Sequence, residues 1–239
     1  MNEIARAEVT AAELVAWAEA KIAAVTDSGR LEAELLLADC VGIGRAGVMA
    51  HPERCISPEQ ARRLEAAVGR RRSGEPLAYI LGSKEFFSLP LQVRSGVLVP
   101  RPETELLAEA VLERATPERA RVLDLGTGSG AIALALKAAR PDLSVTAVDC
   151  DRSALDVAIA NARQLDLEIR CLESDWFSAL AGERFDLVVS NPPYVPSGDR
   201  HFASELAFEP RVALDGGTDG LDAYRKILAS VSSHLAPGG

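Results

Sequence analysis

Four consecutive residues, Asn191, Pro192, Pro193 and Tyr194, have the types and spacing needed to hold a planar –NH2 group. The side chain of Asn191 offers a carbonyl oxygen, and Pro192 lacks an N–H and leaves its own carbonyl without an internal partner. Two such acceptors match the two donors of a carboxamide or an aromatic amine, and the ring of Tyr194 can cover its flat face. The segment is a candidate site for such a group, although a plain strand-ending turn fits the same residues.

The residues before this segment predict a buried strand. Residues 185–190 are mostly apolar or β-branched, and the two prolines that follow stop the strand and stiffen what projects from its end. Open α/β sheets bind their ligands at the carboxyl ends of their strands. We therefore expect Asn191 to lie at the ligand-binding edge of an α/β sheet.

A glycine-rich turn follows an earlier buried strand at residues 122–125 and precedes a predicted helix at residues 131–139. The turn consists of Gly126, Thr127, Gly128, Ser129 and Gly130. Glycines permit unusual φ values there and let a ligand approach the backbone closely. The turn also fits the dinucleotide pattern G-x-G-x-x-A, so a hydride-transfer enzyme is one interpretation.

Two more predicted strands end in polar residues. Asp149 follows the strand at 145–148, where a carboxylate can accept from both hydroxyls of a ribose. Asp175 and Trp176 follow the strand at 167–172, where they can accept from an adenine amino group and pack on its ring. A dehydrogenase has no need for two further acceptors at Asn191, whereas methyl transfer to nitrogen does.

The motifs together resemble those of a known enzyme class. Asp-Leu-Gly-Thr-Gly-Ser-Gly at 124–130 with the distant Asn-Pro-Pro-Tyr is similar to class I S-adenosylmethionine-dependent methyltransferases that act on planar nitrogens. The fuller set resembles the bacterial release-factor glutamine-N5 methyltransferases of the PrmC/HemK type over essentially all of the chain. That set adds Gly-Glu-Pro at 74–76, Glu-Phe at 85–86, Leu-Val-Pro-Arg-Pro-Glu-Thr-Glu at 98–105 and Ser-Asp-Trp-Phe at 174–177.

This resemblance implies a Rossmann-like α/β domain and a specific reaction. The methyl group of S-adenosylmethionine would pass to N5 of the glutamine in the Gly-Gly-Gln motif of class 1 peptide chain release factors, leaving S-adenosylhomocysteine. By matching motifs, the expected cofactor contacts are Gly126, Thr127, Gly128, Ser129, Gly130, Asp149, Asp175, Trp176 and Asn191. The expected glutamine contacts are Asn191, Pro192, Pro193 and Tyr194, of which Asn191, Pro192 and Tyr194 are the catalytic candidates.

Other functions remain open at this point. Asn-Pro-Pro-Tyr is shared with adenine-N6 methyltransferases, which would need a base-flipping pocket and a phosphate-binding surface on DNA or RNA. A glutamine in a ribosomal protein is another possible target. A catalytically silent module that binds a nucleoside and a partner protein is a third alternative, which the acceptors at all four strand ends disfavour.

Composition limits these alternatives. The 239 residues are 48% hydrophobic and 26% charged, as in ordinary globular proteins, and the net charge of −9 disfavours a protein held by nucleic-acid phosphates. The four cysteines are dispersed without a Cys-x-x-Cys pair, which predicts reduced thiols and no metal site. No leader or apolar run of membrane length is found in the sequence, so we expect a cytoplasmic protein without membrane contact.

The chain is predicted to have three parts. Residues 1–75 predict a helical bundle for substrate recognition, 76–102 a β-hairpin linker and 103–239 the methyltransferase domain. Arginines cluster on the helix expected after Ser57-Pro58, either as a solvated face or as a docking surface for a macromolecular substrate. They are Arg62, Arg63, Arg70, Arg71 and Arg72.

The sequence ends at Gly239, soon after an amphipathic helix that begins near Leu221. Members of the resembled family continue with a fifth strand and two more. We therefore expect a sheet that stops after its fourth strand and leaves that strand at an edge with unpaired backbone groups. Lower stability, or association with another chain, is the expected consequence.

Overall fold

The computed structural model describes residues 9–114, 117–203 and 206–239. The chain divides into two units, Met1–Leu81 and Gly82–Gly239. The first unit is mainly helical and the second is built on a parallel sheet.

Helices with apolar inner faces build the first unit, as the 3.6-residue spacing of its leucines and alanines predicts. Its elements are β1 (Val9–Thr10), α1 (Ala11–Ile22), α2 (Gly29–Val41), α3 (Arg45–Ala50), β2 (Cys55–Ile56), α4 (Pro58–Arg72) and α5 (Leu77–Leu81). Leu14, Leu37 and Leu64 from three different helices are at most 1% exposed and share one core. The antiparallel pairing of β1 with β2 was not predicted, because two-residue strands carry no periodic signal.

The helix expected after Ser57-Pro58 is α4, and it begins with a reciprocal cap. The Ser57 hydroxyl accepts from the Gln60 N–H at 3.3 Å, and the Gln60 side chain accepts from the Ser57 N–H at 3.0 Å. Pro58 occupies the first helical turn, where its missing N–H leaves no bond unmade. This reciprocal cap confirms the predicted beginning of the helix.

Two arginines of the predicted cluster on α4 are used inside the helical unit. Arg70 donates to the Glu75 carboxylate at 2.8 and 2.5 Å, and Arg71 donates to Glu32 at 2.6 Å. Arg71 is only 13% exposed, so its charge is committed to holding α4 against α2. Of the five arginines, Arg62, Arg63 and Arg72 are exposed and could still form the predicted docking surface.

The boundary between the units differs from the one drawn from the sequence. It falls after α5 rather than near residue 75, because Leu77, Ile80 and Leu81 pack against the helical core. The hairpin that the sequence assigned to a linker belongs to the second unit. The Gly-Glu-Pro segment at 74–76 predicts the end of a domain, but the short helix α5 follows it and packs against the same core.

The second unit alternates strands with helices. Its elements are β3 (Ser83–Phe86), β4 (Leu89–Gln92), α6 (Glu105–Glu113), β5 (Arg121–Leu125), α7 (Ala131–Ala139), β6 (Ser144–Asp149), α8 (Arg152–Gln164), β7 (Arg170–Glu173), β8 (Leu187–Ser190) and α9 (Asp222–His234). Short 3-10 turns lie at Pro102–Thr104, Arg200–Ala203 and Arg211–Ala213. Strands β3 and β4 form the predicted hairpin, paired antiparallel.

Four parallel strands form the sheet of this unit in the order β7-β6-β5-β8. Strand β5 is central, and its three apolar residues, Val122, Leu123 and Leu125, are fully buried because helices cover both faces of a parallel sheet. This arrangement confirms the predicted Rossmann-like α/β fold. Within the described residues β8 pairs along Leu187–Ser190 with β5 alone.

The C-terminal segment contacts the chain just before β8. The Phe185 N–H donates to the His234 carbonyl at 2.8 Å, and the Ala236 N–H donates to the Phe185 carbonyl at 2.9 Å. Phe185 and Leu235 thus form an isolated parallel bridge next to β8. Lower stability or association with another chain stays a prediction.

A fully buried amide joins the hairpin to the glycine-rich turn. Asn161 on α8 is 0% exposed, and its Oδ1 accepts from the Gln92 N–H at 2.7 Å. Its Nδ2 donates to the carbonyls of Gln92 at 3.1 Å and Ser129 at 2.9 Å. One side chain therefore satisfies three backbone groups, of which the Ser129 carbonyl is in a buried hydrogen bond.

Replacing this amide tests its role in stability. We expect Asn161→Ala to lower the free energy of unfolding by about 2–4 kcal/mol, because each buried backbone group left unpaired costs about 1–3 kcal/mol. Gln164→Ala is the matched control, since the exposed Gln164 amide bonds the same hairpin at Gln92 and Pro90. Urea unfolding should show less than about 1 kcal/mol for the control; equal losses would contradict the special role of Asn161.

Candidate active site

A cavity of about 420 Å³ lies at the carboxyl ends of the four parallel strands, within the size range of small-molecule sites. Of the residues predicted from the sequence, its lining includes Gly126, Thr127, Gly128, Ser129, Asp149, Asp175, Trp176, Asn191 and Pro193. Pro192 and Tyr194 line a smaller adjoining cavity together with Asn191. The parallel sheet thus brings together residues that lie far apart in the sequence.

Gly130 is outside the lining of both cavities. It begins α7 with a φ of +84°, and a Cβ placed on it would lie 3.1 Å from the Leu134 side chain and 3.2 Å from that of Ala158. This glycine allows α7 and α8 to approach each other closely. A direct cofactor contact from Gly130 stays a prediction.

The glycine-rich turn is fixed by backbone hydrogen bonds from the neighbouring strand. The N–H groups of Gly126 and Thr127 both donate to the Val148 carbonyl at 2.9 Å. Gly126 and Gly128 have φ values of +70° and +58°, a region that residues with a side chain rarely adopt. The turn is therefore ordered by the sheet and presents its backbone to the cavity.

Asp149 holds the same turn from the end of β6. Its Oδ2 accepts from the Gly128 N–H at 2.9 Å and its Oδ1 accepts from the Asp151 N–H at 3.0 Å. Burial raises the pKa of Asp149, while these two N–H donors oppose the rise. Each carboxylate oxygen can accept more than one hydrogen bond, so Asp149 retains capacity for a ligand hydroxyl.

Asp124 is a second acid beneath the turn, and the sequence reasoning noted its place without giving it a role. Its Oδ2 accepts from the Thr127 hydroxyl at 2.6 Å and from the Ala133 N–H at 3.3 Å. Its Oδ1 is buried and has no hydrogen-bond partner in the described part of the chain. Burial raises the pKa of Asp124 to about 6. The sequence signal for this buried acid was an aspartate between two leucines of a predicted strand.

Trp176 reaches the cavity through an unusual turn after β7. Its φ is +51°, and the Ser174 hydroxyl donates to the Trp176 carbonyl at 2.8 Å. The same hydroxyl accepts from the Ala179 N–H at 3.1 Å. Ser174 therefore holds the backbone that places the indole in the cavity lining.

Asn191 is oriented by a residue that was not predicted. Its Nδ2 donates to the Thr104 hydroxyl at 3.2 Å, and the described residues form no hydrogen bond to its Oδ1. Thr104 also lines the larger cavity and belongs to the Pro-Arg-Pro-Glu-Thr-Glu segment. The –NH2 group of Asn191 is thus bonded to the protein, while its Oδ1 remains available to accept a hydrogen bond from a ligand. Tyr194 is 55% exposed next to it.

The charges around the larger cavity suit a positively charged ligand. Five carboxylates contribute to its lining, those of Asp149, Asp151, Asp175, Asp215 and Asp222. Its lining cations are Arg101 and Lys226. An excess of acidic groups attracts a cation such as a sulfonium, and Trp176 provides a flat surface for an aromatic base. The residues present fit S-adenosylmethionine.

Across residues 9–114, 117–203 and 206–239, no group of three or more His, Cys, Asp or Glu side chains could hold a metal ion. No helix in these ranges is long and apolar enough to cross a membrane.

Two family models and a solved structure are similar to parts of this chain. Residues 13–82 match the family model "PrmC N-terminal domain", and residues 102–214 match "Methyltransferase small domain". A solved methyltransferase structure from Pyrococcus furiosus is similar over 64% of this chain and 67% of that chain, at 22% identity and a TM-score of 0.48.

Curated relatives share far more of the sequence. The release factor glutamine methyltransferase of Shewanella oneidensis is 43% identical over 95% of this chain and 80% of that protein. The proteins of the same name from Escherichia coli and Pseudomonas aeruginosa are 44% and 48% identical, over 90% and 89% of this chain and 78% of each relative.

The fold, the site and the matching models define an S-adenosylmethionine-dependent methyltransferase of the Rossmann-like class. Within that class, the chain belongs to the release factor glutamine methyltransferase family.

The buried Asp124 makes stability depend on pH. Its pKa rises from 3.8 to about 6 on folding, so the stability it contributes is complete below pH 3.8 and is lost as the pH passes 6. Asp124→Asn removes this loss, and we expect the stability of the variant relative to wild type to increase by about 2 kcal/mol between pH 4 and pH 7.

Thermal unfolding at a series of pH values checks this expectation. Asp156→Asn is the control, because it makes the same chemical change at a carboxylate that is exposed on α8. A difference between Asp124→Asn and wild type that is independent of pH would contradict the assignment.

Proposed function

We propose that this protein methylates N5 of the glutamine in the Gly-Gly-Gln motif of class 1 peptide chain release factors, with Asn191–Tyr194 as the binding site for the amide. The observation that carries this proposal is the hydrogen bond from Asn191 Nδ2 to Thr104. It commits the donor end of Asn191 and leaves an acceptor beside the cavity. The names of the relatives support a release factor as the substrate. The choice of the glutamine in the Gly-Gly-Gln motif is the more specific part of the proposal.

The cofactor would be held by the residues that line the larger cavity. Asp149 would accept from ribose hydroxyls, Asp175 from the adenine amino group, and Trp176 would pack on the adenine ring. The backbone of Gly126 and Gly128 allows close approach because neither glycine has a Cβ. When bound, S-adenosylmethionine supplies an electrophilic methyl group on a sulfonium.

The task of Asn191 and Pro192 is to hold and polarise the substrate nitrogen. An amide nitrogen is a poor nucleophile because its lone pair is delocalised into the carbonyl. Asn191 Oδ1 and the Pro192 carbonyl would accept hydrogen bonds from the two N–H groups of the substrate amide. These acceptors would stabilise the positive charge that develops on the nitrogen during transfer. Orientation of the two reactants contributes the rest of the rate increase.

The proton of the methylated nitrogen would leave to water. The described residues lining the smaller cavity include no carboxylate or imidazole that could serve as a dedicated base. Tyr194, which is 55% exposed, lies at the solvent side of this cavity and would cover the flat face of the amide.

A protein substrate fits the charge of the chain better than a nucleic acid does. The net charge is −9, and binding to DNA or RNA phosphates requires a basic surface. Cys40, Cys55, Cys150 and Cys171 are all free, as expected of a reducing compartment. These features support a reaction in the cytoplasm without a direct nucleic-acid partner.

Transfer of tritiated methyl groups tests the proposal. Purified class 1 release factor should become labelled, and a release factor whose Gly-Gly-Gln glutamine is replaced by alanine should not. Purified ribosomal proteins, and DNA at a series of salt concentrations, are assayed in parallel as the alternative substrates. Label on either of these, with none on the release factor, would overturn the proposal.

The role of Asn191 predicts a selective loss. Asn191→Ala removes one of the two acceptors, so we expect kcat to fall by about a hundredfold, equivalent to about 2.7 kcal/mol, with cofactor affinity within about threefold of wild type. Methyl transfer and calorimetric titration of S-adenosylhomocysteine measure the two quantities. Near-wild-type turnover would remove Asn191 from the mechanism.

A further inference from the structure

The loop after Asn191–Tyr194 contains a buried carboxylate that the mechanism above does not use. The side chain of Glu209 is 3% exposed. Its Oε2 accepts from the Val99 N–H at 3.0 Å, and its Oε1 accepts from the Arg101 guanidinium. Burying a carboxylate is costly unless such partners replace water. Glu209 therefore ties its own loop to a segment about 110 residues earlier.

The two segments joined by Glu209 form one wall of the larger cavity. The lining residues on the earlier segment are Leu98, Pro100 and Arg101, and those on the later segment are Pro210, Val212 and Ala213. The buried ion pair between Arg101 and Glu209 gives this loop a defined partner.

A short, stiff turn leads from this ion pair to Asn191. The Thr104 N–H donates to the Arg101 carbonyl at 3.0 Å, and Pro102 restricts φ within the same 3-10 turn. The Thr104 hydroxyl then accepts from Asn191 Nδ2 at 3.2 Å. Fixing Arg101 therefore fixes Thr104, and Thr104 fixes the amide of Asn191.

We propose that Glu209 is a positioning residue for the methyl transfer, acting through Arg101 and Thr104 on the orientation of Asn191. This inference rests on the proposed role of Asn191. Displacements of about 1 Å at a reacting group can cost about a hundredfold in rate, so a carboxylate remote from the chemistry can control turnover. The cofactor contacts assigned to Asp149 and Trp176 lie on other strand ends and should be affected less.

Glu209→Gln tests the proposal with little change in shape. A glutamine offers one acceptor and turns an –NH2 group toward the other donor, so Val99 or Arg101 loses its partner. We expect kcat to fall at least about tenfold, while the dissociation constant for S-adenosylhomocysteine changes by less than about threefold. Quenching of Trp176 fluorescence in a Trp17→Phe background measures the dissociation constant separately from turnover, since the chain has two tryptophans.

Glu183→Gln is the matched control. Glu183 also accepts from an arginine, Arg170, at 2.7 Å, but its side chain is 25% exposed and does not line either cavity. The same chemical change at this position should leave kcat within about twofold of wild type.

Thr104 provides an independent pair of variants. Thr104→Val removes the hydroxyl at nearly constant volume and should lower kcat, whereas Thr104→Ser keeps the hydroxyl and should restore it. If Glu209 acts through Thr104, the Glu209→Gln/Thr104→Val double variant should lose no more activity than the worse single variant. Fully additive losses would show separate effects and would overturn the proposal.

Other outcomes also decide the question. A folded Glu209→Gln enzyme with kcat within about twofold of wild type, or with parallel losses of kcat, cofactor affinity and melting temperature, would overturn the positioning role. If the Glu209→Gln variant does not fold, a Thr104→Val enzyme with the kcat of wild type would overturn the positioning role. A wild-type enzyme that leaves release factor unlabelled would refute the proposed function, whereas an active wild type with an unaffected Glu209→Gln refutes this inference alone.

Discussion

The site depends on the register of the central strand pair. Leu125 on β5 pairs with Ser190 on β8, and the Ser190 hydroxyl donates to the Leu125 carbonyl at 2.7 Å. Gly126 and Asn191 are therefore the first residues beyond the sheet on adjacent strands. Leu125 also pairs with Val148, which places Asp149 on the other side of Gly126. A shift of one residue in either pairing would separate the glycine-rich turn from one of its polar neighbours.

Much of this arrangement could be predicted from the sequence, because its motifs are contiguous. A buried strand that ends in glycines or in Asn-Pro-Pro-Tyr states both the element and the edge where its polar residues lie. The parallel sheet then brings these edges together whatever the loops between them contain. This explains why Asp149, Trp176 and Asn191, which follow three different strands, line one cavity, although no pattern in the chain gives the strand order.

The interactions that escaped prediction are side-chain hydrogen bonds over long sequence separations. Asn161 bonds Ser129 across 32 positions, Asn191 bonds Thr104 across 87, and Glu209 bonds Arg101 across 108. Asn161 and Glu209 have no periodic or motif signal, since a single polar residue in a loop or a helix is usually solvated. Asn191 and Thr104 lie in motifs, but no motif shows that they bond each other. Burial distinguishes them, and burial becomes visible only when the chain has folded.

The same three side chains hydrogen-bond to residues that line the cavity, namely Ser129, Thr104 and Arg101. An apolar contact is tolerant of small displacements, whereas a hydrogen bond weakens steeply when its distance or angle changes. Asn161 is fully buried and Glu209 nearly so, and each bonds backbone groups that would otherwise be unpaired. Leaving such groups unpaired is costly, so alternative loop positions are disfavoured. The position of the Asn191 amide therefore depends on its hydrogen bond to Thr104, just beyond a strand that pairs with β5 within the described residues.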